Sequence, residues 1–95
     1  MISQQARDEL RQHTKKGDYK TAAKIYEQTV NRTIGARYLQ KFIEGEKNPS
    51  GRPGCHQPLK MFEAVAQAVH RRQMAEQEST VAAQQILKDK IRQPQ

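Results

Sequence analysis

The chain has 95 residues, with 17 Lys and Arg against 10 Asp and Glu, a formal net charge of +7 and a pI near 9.9. That length allows one domain, or a domain with a tail, and the 35% hydrophobic content without tryptophan limits the core to a few aliphatic and aromatic anchors. So small and basic a chain favours an anionic partner, and nucleic acid leads among these.

Residues Ser3 to Lys15 read as a first helix, with Ser3 as N-cap and Ala6, Leu10 and, at its end, His13 facing inward. Lys15 and Lys16 before Gly17 have the composition of a helix C-terminus, and Asp18 that of the N-cap of a second helix running through Tyr26. In that helix Tyr19, Ala22, Ala23 and Tyr26 keep a helical period, and Ala23 is small enough for a close crossing. Glu27 to Thr33 is polar and β-branched and reads as a turn or a frayed helix end. A third helix over about 35–44 has Leu39, Phe42 and Ile43 on one face, while Arg37, Tyr38, Gln40 and Lys41 point elsewhere.

Gly45 to Pro58 holds three prolines and three glycines in fourteen residues and must be a loop. Pro58 suits the first turn of a fourth helix, with Leu59, Phe62, Val65 or Ala66, and Val69 along one face, reaching Gln73 or beyond. The segment Ser79–Arg92 is polar and helix-prone, with a thin stripe of Val81, Gln84 or Gln85, Leu87 or Lys88, and Ile91. Extension of the preceding helix, packing on a second subunit and fraying all fit that stripe. No strand pattern or internal repeat is present.

Lys16-Gly17-Asp18-Tyr19-Lys20, Ala22-Ala23 and the run from Ile34 to Gly45 together resemble the helix-turn-helix of repressor-like bacterial and phage DNA-binding proteins. Ile34, Gly35, Tyr38, Leu39, Gln40, Ile43, Glu44 and Gly45 follow that family's pattern in order, and His56 through Leu59, Phe62 and Ala64 looks like its next helix. Six residues within Gln28–Thr33 exceed the family spacing and lengthen either the turn or helix two. The resemblance implies an all-α bundle of four to five helices containing a helix-turn-helix, in residues 1–75, followed by a polar helical extension or tail, 76–95. It makes Leu39 and Ile43 core anchors and Ala23 the close-packing alanine. Ala36, Arg37, Tyr38, Gln40 and Lys41 would then face the major groove of double-stranded DNA. Arg37 can pair bidentately with guanine and Gln40 with adenine, while Lys41 suits a phosphate.

Flanking cations extend this surface. Lys15, Lys16, Lys20 and Lys24 surround helix two; Arg32 follows it; Lys47, Arg52 and His56 lie in the loop, with Asn48 and Ser50 as neutral donors. From Asn31 to Lys60 six Lys or Arg stand against two Glu, a net of +4. The expected DNA-contacting set is therefore Ala36, Arg37, Tyr38, Gln40, Lys41, Lys20, Lys24, Arg32, Lys47 and Arg52. A homodimer on paired half-sites would add buried area that so small a core lacks.

Catalytic chemistry finds no footing. Cys55 and His56 are neighbours in a flexible-composition loop, whereas nucleophile and base normally come from distant positions. One cysteine with His13, His56 and His70 lacks zinc-ligand spacing, so neither metal nor cofactor is expected. The lone cysteine also rules out an intrachain disulfide and fits a reducing compartment. A polar N-terminus and the want of any span-length apolar run lead to the expectation of no signal peptide, no membrane and a cytoplasmic, nucleoid-associated protein. A second reading is a helical protein-interaction module whose partner surface is Tyr26, Tyr38 and Phe42; structured RNA is a weaker third option.

Overall fold

A computed structural model gives four helices: α1 (Gln4–His13), α2 (Lys16–Val30), α3 (Ala36–Glu44) and α4 (Pro58–Arg92). It describes residues 2–92, and side chains through residue 77. Among the described residues there is no strand, and the fold is an all-α bundle. No described helix is long and apolar enough to cross a membrane.

Ser3 caps α1 as expected, its Oγ accepting from the Ala6 N–H at 3.1 Å. The helix stops at His13, two residues short of Lys15. Thr14 turns extended there and its hydroxyl donates to the Leu10 carbonyl at 2.6 Å, offering the backbone a non-helical solution. His13 is exposed; the buried residue on this helix is Arg7.

The start of α2 also departs from expectation. Gly17 sits in the first turn of α2 and does not terminate α1, and Lys15 and Lys16 are the N-cap and first residue of α2. Asp18 is the third helical residue. Its Oδ2 accepts from the Lys15 N–H at 2.8 Å, the acidic half of a capping box, with its charge at the favourable end of the helix dipole. The helix continues past Tyr26 to Val30, so Glu27–Val30 is helical and the six extra residues are shared, Gln28–Val30 lengthening helix two and Asn31–Thr33 the turn. Packing of Ile25, Tyr26 and Val30 against the core outweighs the weak helix propensity of Thr29 and Val30, and the Thr29 hydroxyl is absorbed by the Ile25 carbonyl at 2.8 Å. Asn31, left-handed at φ 55°, ends it.

Gly45 ends α3 at φ 90°, its N–H donating to the Phe42 carbonyl while Glu46 N–H reaches Lys41. A side chain there would be strained, and its Cβ would meet Gln4 Oε1 at 2.6 Å, because α1 packs on this turn. In α4 the inner face is Met61, Ala64, Val65, Ala68 and Val69. Leu59, expected inside, is 59% exposed; the helix is rotated so that Met61 takes the buried position. Phe62 and Ala66 lie at the margin.

The core lies where α2 runs along α4, with α3 and α1 closing the sides. Tyr26, Leu39, Phe42, Ile43, Met61 and Val65 are its largest fully buried side chains; burying a side chain of this kind gives roughly 1.5–3 kcal/mol. Ala22 is fully buried and Ala23 only partly, so Ala22 is the close-packing alanine of α2. Helix α4 runs unbroken past residue 75 to Arg92, making Ser79–Arg92 an extension of the preceding helix. The expected stripe from Val81 to Ile91 lies outside the residues with described side chains.

A polar clamp joins three helices. Arg72 on α4 donates from Nε to both oxygens of Asp18 at 2.9 and 3.0 Å, from Nη2 to the His13 carbonyl at 2.6 Å, and from Nη1 to Glu76 at 3.1 Å. Lys15 Nζ meets the same Glu76 oxygen at 3.3 Å. Arg72 and Lys15 hold the Glu76 carboxyl below its ordinary value, Arg72 being the larger cause. These bonds fix the end of α1 and the start of α2 against the middle of α4.

Candidate nucleic-acid interface

Helix α3 is strongly two-faced because Leu39, Phe42 and Ile43 recur at helical spacing and are all buried. At 100° per residue the position opposite Leu39 falls between Arg37 and Lys41, with Glu44 beside them and Gln40 on one flank. Arg37 and Gln40 are exposed and Lys41 is half-buried. Gln40 Nε2 donates to Glu44 Oε1 at 3.2 Å.

Ala36 and Tyr38, expected to face the groove, stand apart from this row. Both are half-buried against the core. Tyr38 lies on the flank of α3 away from Gln40, its ring centroid 5.1 Å from the His56 imidazole. The outward row of α3 is thus Arg37, Gln40 and Lys41, with Glu44 at its end.

The N-cap of α3, Gly35, has no side chain to accept from the first-turn N–H groups. Arg32 is exposed in the short connector from α2. Lys20 and Lys24, four apart, share the outer strip of α2 across the helix from Ala22 and Tyr26, with Glu27 beside them. Lys47 and Arg52 are exposed in the loop. Among the described residues the ion pairs engage Lys15, Lys60 and Arg72, and no carboxylate pairs with Lys20, Lys24, Arg32, Arg37, Lys41, Lys47 or Arg52.

Of the residues grouped with the phosphate-contacting loop, His56 is turned inward, and Asn48, though exposed, is tied to Arg7. Tyr26 Oη accepts from the Gln57 N–H at 3.0 Å and lies 3.2 Å from His56 Nδ1, to which it donates in the tautomer that carries the imidazole proton on Nε2. His56 also packs edge-on to the Tyr26 ring, at 5.6 Å. Burial, and secondarily the charge of Arg32, push the His56 imidazole below its ordinary value. Burial, then Glu44, pushes the Tyr19 phenol up. Asn48 Oδ1 accepts from Arg7 Nη1 at 2.7 Å. The loop is therefore pinned at both ends, near Asn48 and near His56, to the bundle that carries α3.

Tyr26 and Phe42 are core residues, 0% and 2% exposed, and Tyr38 is half-buried. Of the three aromatics named for the interaction-module reading, only Tyr38 is partly exposed. Among the described residues no group of three His, Cys, Asp or Glu side chains is placed to hold a metal ion. Arg7 was hidden among the charges of α1, although it falls three residues before Leu10 and so shares its inward face.

No family model, curated protein or solved structure matches the chain.

Proposed function

We propose that this is a sequence-specific, non-enzymatic DNA-binding protein that lays α3 in the major groove. It would serve as a small transcriptional regulator or mobile-element accessory factor, nucleoid-associated in the cytoplasm and dimeric on paired half-sites. The observation that carries the reading is the outer row of α3, Arg37, Gln40 and Lys41, on a helix whose other face is anchored by Leu39, Phe42 and Ile43. Such a helix is rigidly mounted and offers a guanidinium, an amide and an ammonium at groove-reading spacing. Unpaired cations at Arg32, Lys47 and Arg52 lie in the segments on either side of it, where phosphates would be met. The uncapped N-terminus at Gly35 favours a phosphate for the same electrostatic reason.

Purified protein is titrated onto mixed-sequence duplex DNA at several salt concentrations, beside Arg37→Ala and Lys41→Ala. Binding is expected to weaken steeply with salt. Loss of Arg37 should cost roughly 1–3 kcal/mol on a target selected from a random pool. Lys41→Ala should weaken all sequences alike and flatten the salt slope. Absence of binding near physiological salt at tens of micromolar protein, where non-specific contacts normally register, defeats the proposal.

A further inference from the structure

Between α1, α3 and the proximal loop lies a cavity of about 440 Å³, lined among others by Ile2, Arg7, Phe42, Asn48, Pro49 and Ser50. We infer that it binds a small organic monoanion, a carboxylate on a compact apolar body, gripped by Arg7.

Arg7 is only 8% exposed, yet no carboxylate pairs with it among the described residues. Its Nη1 donates to the Phe42 carbonyl at 3.2 Å and to Asn48 Oδ1 at 2.7 Å, and its guanidinium carbon stands 5.3 Å from the Phe42 ring centroid. Nε is buried with no hydrogen-bond partner. A guanidinium out of water, held by neutral acceptors and with a donor unspent, lacks the counter-charge that normally accompanies a buried cation. A carboxylate beside the part of Arg7 that lines the cavity supplies the missing counter-charge, and a guanidinium suits its geometry.

The walls define the rest of the ligand. Ile2, Phe42, Pro49 and Pro58 are apolar and call for an apolar body, while Ser50 adds a hydroxyl. No second Lys or Arg lines the cavity, so it suits one negative charge and not a polyanion. The volume is within the range of small-molecule sites. Phe42 is at once a wall of the cavity, the carbonyl acceptor of Arg7 and a buried anchor of α3.

The test is DNA-free and so stands or falls apart from groove reading. Isotope-labelled full-length protein is titrated by NMR with benzoate, with benzyl alcohol and with inorganic phosphate. Benzoate should give saturable amide shifts at Arg7, Phe42, Asn48 and Ser50, half-complete at about 1 mM or below. Benzyl alcohol lacks the charge and phosphate lacks the apolar body; each should bind at least about tenfold more weakly. No saturable shift by about 10 mM benzoate, shifts centred elsewhere, or equal binding by either control overturns the assignment. Arg7→Lys keeps the charge without the fork and should weaken benzoate about tenfold. Should that variant fail to fold, Ser50→Trp, on the exposed rim, should block benzoate; unchanged binding to it overturns the assignment equally.

Discussion

Helix α1 is held at two places by arginine, and the two junctions are built on opposite chemistry. Near its C-terminus Arg72 reaches across from α4 and is closed by the chain itself, with both Asp18 oxygens, Glu76 and the His13 carbonyl as acceptors. Near its N-terminus Arg7 turns inward to α3 and finds a carbonyl, an amide oxygen and an aromatic face, but no carboxylate. A closed set of charge-assisted hydrogen bonds serves the fold, because removing any member strands another. An open set beside a cavity can serve a ligand, because its last partner comes from outside.

The largest expected effect tests the closed junction. Asp18→Ala removes a carboxylate only 3% exposed, takes the acceptor from the Lys15 N–H and leaves Arg72 Nε without its partner. Stability measured by denaturant unfolding should fall by roughly 2–4 kcal/mol, combining a lost cap with lost charge-assisted bonds. A loss under about 1 kcal/mol would mean that apolar packing alone holds α1 and α2 against α4 and that the clamp is incidental.

The open junction should respond much less. Arg7→Met keeps the length and packing of the side chain and removes an incompletely partnered charge. The Phe42 carbonyl still accepts from the Gly45 N–H, and exposed Asn48 can turn to water, so neither partner is stranded. The same unfolding experiment should give at most about 1 kcal/mol of destabilisation. If Arg7→Met proves as damaging as Asp18→Ala, the contrast collapses and Arg7 is a structural group like Arg72.

Much of the fold was legible in residues whose signals are local. Ser3 capping α1, the spacing of Leu39, Phe42 and Ile43, the left-handed stop at Gly45 and the start at Pro58 depend on near neighbours, and each is present. Features settled by distant partners were not legible. Gly17 and Asp18 looked like a helix end and an N-cap; Asp18 instead works from the third helical position because Arg72, 54 residues away, meets it there. Thr29 and Val30 looked like part of a turn or frayed helix end, but Val30 packs against the core and carries the helix on to it. In α4, Leu59 and Met61 are both apolar, and only the packing of α2 decides which is buried. The candidate interface divides the same way. Arg37, Gln40 and Lys41 follow from the period of α3, which also sets Tyr38 on the other flank, whereas its ring partner His56 lies on a loop with no period to read.

The smallest effect comes from that histidine, and it sharpens the comparison by adding a junction that is closed only when uncharged. Tyr26 Oη takes the Gln57 N–H and, in the Nε2–H tautomer of His56, gives its proton to Nδ1; protonating that imidazole fills the acceptor and leaves the Tyr26 proton without it. Burial first, and Arg32 second, hold the folded-state His56 below its ordinary value near 6.5. The unfolded chain therefore binds a proton there before the folded chain does, and stability rises with pH wherever the unfolded state holds more protons. Stability should be unaffected by this group well above pH 6.5 and should decline as the pH falls from about 6.5 to the folded-state value, below which the decline ends. Denaturant midpoints measured from pH 7.5 to 5 should show that slope. His56→Asn should flatten it, and Arg32→Ala should shorten its acid end only modestly, since Arg32 is the lesser cause. A slope that survives His56→Asn would assign it to another group.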